Sequence, residues 1–571
     1  MRRPGHGEGS DERVSEPGSA DLAFVNGAVY TVDAVRRTVS AVAVGDGRIV
    51  AVGSDAEIRE HVDARTEIVD LRGRTLLPGF QDAHVHPPGG GLEMLRCDLN
   101  ERYSLEEYEP IIGTYASEHP DVPWILGGGW YMGAFPGGAP TKDALDRLLP
   151  DRPAYLQSRD GHSAWVNSKA LELAGVDAGT PDPPDGRIER DVDGAPSGTL
   201  HEGAMELVGE HAPDDTTEEY AGGLLVAQHY LHSLGLTAWQ DAIVGLDAGY
   251  RTFDAYVKAA ERGELTARVV GALWWDRHRG EEQIQELVDA RERGTVGRFA
   301  PTSVKIMQDG VIENFTAGML EPYLDGDGRP TDNRGKSFVD PELLKGYVTR
   351  LDALGFQVHV HAIGDRAVRE ALDAFQAARE ANGPNDLRHH IAHIQVIHPD
   401  DLPRFRELGV VANGQPLWAA HEIQMDELTI PFIGPDRATW QYPFRSLVAS
   451  GAVLAFGSDW SVSTPNPFAE MYIAIERRAA PGHEELGERV GEVFLPEERI
   501  DRPTAIHAFT MGSAYVNHLD GLTGSIEVGK AADLIVADRD VFACSLEEFH
   551  DTAIELTLVA GERVHAAGDL A

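Results

Sequence analysis

Thr75-Leu-Leu-Pro78-Gly79-Phe80-Gln-Asp82-Ala-His84-Val-His86-Pro87-Pro88-Gly89 is the stretch on which the fold turns. The apolar run from Thr75 to Phe80 reads as a short buried strand, and Pro87 and Pro88 stop it. Side chains alternate along a strand, so His84 and His86 share one face at its end and point at one spot. Two imidazoles so placed can hold a metal ion. On the tripeptide alone the ordinary reading prevails, that of two histidines at a strand edge. The metal reading depends on whether later strands supply further ligands.

Working outward, short apolar strands alternate with helical stretches from about Leu76 to Leu522. Clear strands are Val269 to Trp275, Ser303 to Met307, Gln357 to His361, His390 to His393, Val410 to Asn413 and Val453 to Gly457. Helical candidates include Arg366 to Arg379 and Pro403 to Leu408. Repeated βα units over such a length predict a parallel sheet, and the barrel is its commonest closed form at this size. Residues from about 93 to 213 are rich in Gly, Pro and Asp, fit the repeat badly and read as an insertion after the first barrel strand. Asp21 to Val69 alternates in short strands joined at Asn26-Gly27, Asp46-Gly47 and Gly53-Ser54-Asp55, the spacing of tight hairpins. Similar pieces return at Gly524 to Ala537 and Ile554 to Val564, so both chain ends are expected to complete one sheet domain. Residues 1–20 are polar and glycine-rich, carry no secretory signal and are expected to be disordered.

The chain has 571 residues, 42% hydrophobic and 25% charged, enough for a sizeable core plus an accessory module. No apolar run is long enough to span a bilayer. Cys97 and Cys544 make neither a disulfide framework nor a cysteine metal site, so any metal must be held by His, carboxylate or a modified lysine. A cytoplasmic location is the default expectation. The net charge of −43 is spread along the chain, which argues against nucleic acid and anionic membranes as partners. Self-repulsion of this size is easiest to tolerate where salt screens it, so a salt-adapted cytoplasm competes with a merely acidic protein. Lysine is scarce, and Lys305 stands in an apolar context.

Polar residues stand at the ends of several expected strands, where barrel active sites are built. After His84 and His86 come Lys305, His361, His393 and Asp459. Four imidazoles, a carboxylate and a lysine can bind two divalent cations if CO2 carbamylates the lysine, converting an ammonium into an anionic two-oxygen bridge. That reaction requires the neutral amine, which desolvation favours.

These motifs resemble the metal-dependent amidohydrolase superfamily, specifically its amidohydrolase-3 branch with N-substituted formamide deformylase-like proteins. The resemblance runs from Asp21 to His565. It rests on Leu77-Pro-Gly-Phe-Gln-Asp82-Ala-His84-Val-His86, Asp160-Gly-His162-Ser-Ala-Trp165, Val304-Lys305-Ile-Met-Gln-Asp309-Gly310, His361-Ala-Ile-Gly364-Asp365, His389-His390-Ile-Ala-His393, Gly457-Ser-Asp459-Trp460 and Gly524-Ser-Ile-Glu-Val-Gly529-Lys-Ala-Ala-Asp533.

The resemblance implies a (β/α)8 TIM-type barrel over 76–522 and a small β-sandwich from 21–75 and 523–571. It implies His84, His86, Lys305, His361, His393 and Asp459 as metal ligands, with His361 preferred to His359 and His393 to His389 or His390. Ala392 departs from the family pattern, which keeps Glu there. The expected metal is zinc, two ions, although manganese, iron or cobalt suit such donors too. The expected reaction is metal-assisted hydrolysis of a non-peptide amide-type C–N bond in a small molecule. Asp459 would move the proton from water to the leaving amine, and Asp82 would orient a histidine.

Trp130, His162, Gln415 and Trp460 are the expected substrate-binding residues. A lyase or decarboxylase on the same barrel, or a silent metal-binding protein, remains an alternative. A homo-oligomer is left open.

Overall fold

The computed structural model describes residues 20–246, 251–483 and 486–570. The stretch expected to be disordered lies outside these residues, apart from Ala20.

The Thr75 to Phe80 run is not one strand. Thr75–Pro78 belongs to an outer sheet and Phe80–Val85, here β1, to the barrel. The change of sheet falls at Gly79, where a Cβ would lie 2.4 Å from the Thr237 side chain, so a larger residue would push the two strands apart.

Beyond β1 the barrel comprises Leu236–Val244 (β2), Arg268–Trp274 (β3), Phe299–Met307 (β4), Gln357–Ala362 (β5), His390–His393 (β6), Val411–Gly414 (β7) and Leu454–Phe456 (β8), in spatial order. Neighbouring strands pair in parallel. β1 and β5 to β8 are buried along their whole lengths, as strands covered on both faces must be. Residues just past β8 meet β1. The Asp459 N–H donates to His84 O at 2.7 Å and the His86 N–H to Trp460 O at 2.8 Å. Gly457 permits this approach, because a Cβ there would lie 2.5 Å from the His84 nitrogen. The result is a nearly closed TIM-type barrel. Its main core joins strand residues such as Trp239, Phe299, Val304 and Val358 to helix residues such as Leu351, Leu372 and Phe405.

Pro87 and Pro88 do more than end β1. They open the helix Pro87–Met94, where a missing N–H costs nothing, and His86 is its N-cap.

Both chain ends build a sandwich. One sheet holds Arg48–Gly53, Ala41–Gly45, Leu22–Val25 and Glu67–Asp70. The other holds Glu562–Ala566, Ile554–Val559, Leu534–Ala537, Thr75–Pro78, Ala28–Tyr30 and Thr38–Val39. Phe24, Val42, Ile49, Leu76, Leu534 and Leu556 fill the layer between them. Asp533 fastens the sandwich to the barrel, accepting from Arg268 Nε at 2.8 Å and from the Ala560 N–H at 2.7 Å. Its side chain is 1% exposed, so losing the arginine would strand a buried charge, at about 3–5 kcal/mol.

The irregular-looking stretch after β1 forms a third sheet, in the order Gly186–Arg190, Pro196–Glu202, Ser163–Val166, Ala154–Ser158, Ile125–Trp130, Cys97–Asp98. It has an apolar core of its own, with Tyr108, Ile112, Leu156 and Trp165. No helix among the described residues is long and apolar enough to cross a membrane.

Candidate metal centre and its cavity

Strand register brings the polar residues together. Lys305 pairs with His359 and Met307 with His361 across β4 and β5, and Ala362 pairs with His393 across β5 and β6. The contact between β1 and the residues past β8 sets His84 and His86 against Asp459. His84 Nε2 lies 3.2 Å and His86 Nε2 2.9 Å from Asp459 Oδ1. His393 Nδ1 lies 3.7 Å from Asp459 Oδ2, and the His361 and His393 rings are 4.4 Å apart. Lys305 Nζ is 3.4 Å from His84 Nε2 and 3.5 Å from His359 Nε2. All six expected ligands thus occupy one end of the barrel. His393 and Asp459 hold φ of 74° and 59°. For side chains other than glycine this costs about 1–3 kcal/mol each, and such strain clusters at functional sites.

The donor set suits a divalent cation. Ligand atoms of His84, His86 and Asp459 lie within 4.8 Å of one another. Burial drives His84 down to about 3, with Lys305 adding to the effect, and holds His361 and His393 well below the usual imidazole range. These rings are therefore neutral and offer lone pairs. Burial opposes the charge of Asp459, but in the absence of a cation an imidazole N–H donated from the facing His84 and His86 rings outweighs burial and keeps it well below the usual carboxylate range. Neutral nitrogens converging on a carboxylate oxygen are the arrangement a divalent cation satisfies. Burial lowers Lys305 to about 7, which makes its neutral amine accessible near physiological pH.

Buried polar groups brace several of these residues, through the ring or through the backbone. The His361 Nδ1–H faces Asp309 Oδ1 at 3.2 Å. The Asp309 carboxylate also accepts from the Gly318, Ile363 and Gly364 N–H groups at 2.8, 3.0 and 2.9 Å. His393 is held through its backbone, its N–H donating to Gln415 Oε1 at 2.7 Å. Asp82 likewise acts on backbone rather than on an imidazole, accepting from the His84 and Ser458 N–H groups at 2.9 and 3.1 Å and from Ser458 Oγ at 2.6 Å. His390 hydrogen-bonds Gln240.

Above this floor opens a cavity of about 800 Å³, with His361, His393 and Asp459 at its base. The insertion contributes Trp130, Tyr131, Arg159, Asp160 and His162, and later loops contribute Trp418, Glu422 and Trp460. His162 faces His361 at 5.7 Å between rings and Glu202 at 3.0 Å. Burial would lower its pKa, but the Glu202 charge and hydrogen bond raise it to about 9. Trp130 lines the cavity, but its indole N–H is spent on Leu156 O at 2.8 Å. Gln415 does not line the cavity: it is fully buried and spent on the His393 backbone and on Asn413 Oδ1.

Sequence reasoning missed Glu313 and Glu422 in the wall, and Gln240 beneath the floor. Only Gln240 carried a signal, as half of the polar pair Gln240-Asp241 inside an otherwise apolar strand.

The profile of the amidohydrolase family matches residues 67–565, and the chain belongs to that family. Protein LONG AFTER FAR-RED 3 of Arabidopsis thaliana is 31% identical over 96% of this chain and 92% of its own length. The N-substituted formamide deformylase of Arthrobacter pascens is 27% identical over 95% of this chain and 97% of its own. An uncharacterized metal-dependent hydrolase from Pyrococcus horikoshii shares the fold with a TM-score of 0.71 at 26% identity, covering 92% of this chain and 99% of that one.

Proposed function

We propose that this member of the amidohydrolase family hydrolyses a non-peptide, amide-type C–N bond in a small molecule. One observation carries the reading: His84, His86 and Asp459 converge within 4.8 Å at one end of the barrel, beside a cavity sized for a small molecule. The similarity to an N-substituted formamide deformylase supports the amide-type bond.

His84, His86 and Asp459 would hold one ion. His361, His393 and a Lys305 carbamate would hold a second, the buried Lys305 amine adding to CO2 with release of a proton. Zinc is the metal that imidazole-rich donors favour. When bound, the metal supplies Lewis acidity and makes water a nucleophile near neutral pH. The chain's own groups do the rest. Asp459, kept ionised, takes a proton on a carboxylate oxygen and returns it to the departing amine. His162, kept protonated by Glu202, donates to the carbonyl oxygen as negative charge develops there. Trp418, Trp460 and Tyr131 shelter the nitrogen substituent from water.

The test is elemental analysis of protein purified without chelator, with assays of N-formyl, N-acyl amino and cyclic amide compounds. Bound divalent metal with turnover of at least one class is expected. Metal-free protein that stays inert after zinc addition would overturn the proposal.

A further inference from the structure

We infer that the nitrogen His84 presents to a metal is chosen from beneath the barrel floor, with Gln240 and His359 as positioning residues. This rests on the reading above, in which His84 is a ligand.

Two main-chain carbonyls fix the first amide of the string. Gln357 Nε2 lies 2.9 Å from Arg388 O and 2.7 Å from Val516 O. Carbonyl oxygens only accept, so the Gln357 atom between them is the amino group and its Oε1 faces away. That oxygen accepts from Gln240 Nε2 at 3.0 Å, and Asn517 Oδ1 accepts from the same nitrogen at 3.2 Å. Gln240 is thereby oriented, and its Oε1 is an acceptor. Two imidazoles reach it, His359 through Nδ1 at 2.8 Å and His390 through Nε2 at 3.0 Å. Both must donate. His390 agrees independently: the Asn413 amino group, oriented by Ala83 O at 2.9 Å, donates to His390 Nδ1 at 3.2 Å and leaves the proton on Nε2.

A neutral His359 with its proton on Nδ1 has a lone pair on Nε2. That lone pair lies 2.9 Å from His84 Nδ1, so His84 donates from Nδ1 and keeps its lone pair on Nε2, where Lys305 Nζ faces it at 3.4 Å. His84 Nε2 is the atom facing Asp459. The string Gln357, Gln240, His359, His84 thus selects one of two tautomers over four side chains. Metal-bound imidazoles usually rest on a carboxylate, a carbonyl or water, as His361 rests on Asp309. His84 rests on another imidazole, which can itself adopt either tautomer, and so needs Gln240 to hold it to one.

The test has two arms. Nitrogen-15 spectra of histidine-labelled, zinc-loaded wild-type protein should show His84 and His359 protonated at Nδ1, with His84 bound to the metal through Nε2. Chelator competition should show zinc affinity reduced roughly 10- to 100-fold in His359→Phe and Gln240→Leu. His359→Gln, whose amide oxygen can accept from His84, should recover most of the loss. Wild-type spectra with the proton on His84 Nε2, or unchanged affinity in folded His359→Phe, would overturn the inference. The wild-type arm needs no variant, so it decides the matter even if a substitution prevents folding. Protein that binds no metal at all would instead overturn the function proposed above.

Discussion

The floor of the cavity and its wall are built on opposite terms. On the floor nearly every polar atom is held by another: Asp309 takes four donors, Asp82 takes three, and His84 is fixed through a string of side chains. In the wall, Arg159 lies 4.8 Å above the Tyr103 ring, Asp160 Oδ2 has no hydrogen-bond partner among the described residues, and Tyr230 meets Trp460 edge-on at 5.5 Å. A fully partnered buried network holds one geometry and punishes any change. A wall of aromatic faces and partly free carboxylates tolerates rearrangement. Chemistry is therefore expected to depend on the floor and substrate choice on the wall.

The sharpest way to break this contrast is on the floor. Asp459→Asn is expected to lower kcat by about 10²–10⁴-fold, the usual contribution of a proton-transfer group, while the chain stays folded. Kinetics with metal content measured on the same sample check this. Near-normal turnover with full metal would remove Asp459 from the reaction. Asp309→Asn comes next, with metal affinity expected to fall roughly 10- to 100-fold. Its amide can no longer accept from all four donors, so one N–H loses its partner, at about 1–3 kcal/mol. Chelator competition and thermal unfolding read the two effects separately.

The same contrast explains what could be read in one dimension. The floor is written in short-range patterns: histidines at strand spacing, proline after the strand, and polar residues recurring at strand ends. Strand alternation converts such patterns directly into position. Gln240 escaped because its partners are Gln357, His359 and His390, and no local pattern announces a contact over 117 to 150 residues. The insertion escaped for another reason. Gly127, Gly128 and Gly129 lie inside the strand Ile125–Trp130 and erase its alternation, so a six-stranded sheet read as irregular chain. Gln415 shows the limit of reading strand ends: the segment faces the site, yet the side chain turns inward to a backbone amide.

The wall should respond more gently. Among the described residues, Asp98, Glu101, Asp160, Glu313 and Glu422 line the cavity against one arginine, Arg159, and the protonated His162. Among matched amides, one bearing a carboxylate on the nitrogen substituent is expected to have the lowest kcat/KM and one bearing an ammonium the highest. Glu313→Gln, which keeps an acceptor for the Thr429 hydroxyl now at 2.6 Å, should narrow that gap by about tenfold or less, or 1.4 kcal/mol. An unchanged gap in the variant would mean that the wall does not select by charge.

The smallest effect lies deeper in the wall. Glu422 accepts from the Tyr131 hydroxyl at 3.0 Å. Burial raises its pKa to about 7, Glu313 and Asp426 push in the same direction, and the Tyr131 hydrogen bond and Arg159 oppose it. A carboxyl whose folded pKa lies above its unfolded value is stabilising only while protonated. Its contribution is present below the unfolded value of 4.5 and is lost as pH rises to about 7. Glu422→Gln keeps an acceptor for Tyr131 and cannot ionise. The variant should therefore gain on the wild type between pH 5 and pH 8, by a few kcal/mol at most, at about 1.4 kcal/mol for each tenfold change in proton affinity. Urea unfolding of both proteins at the two pH values isolates this, since the remaining acidic surface is common to them. Curves that stay parallel would place Glu422 among groups already paired, and the wall would then be as closed as the floor.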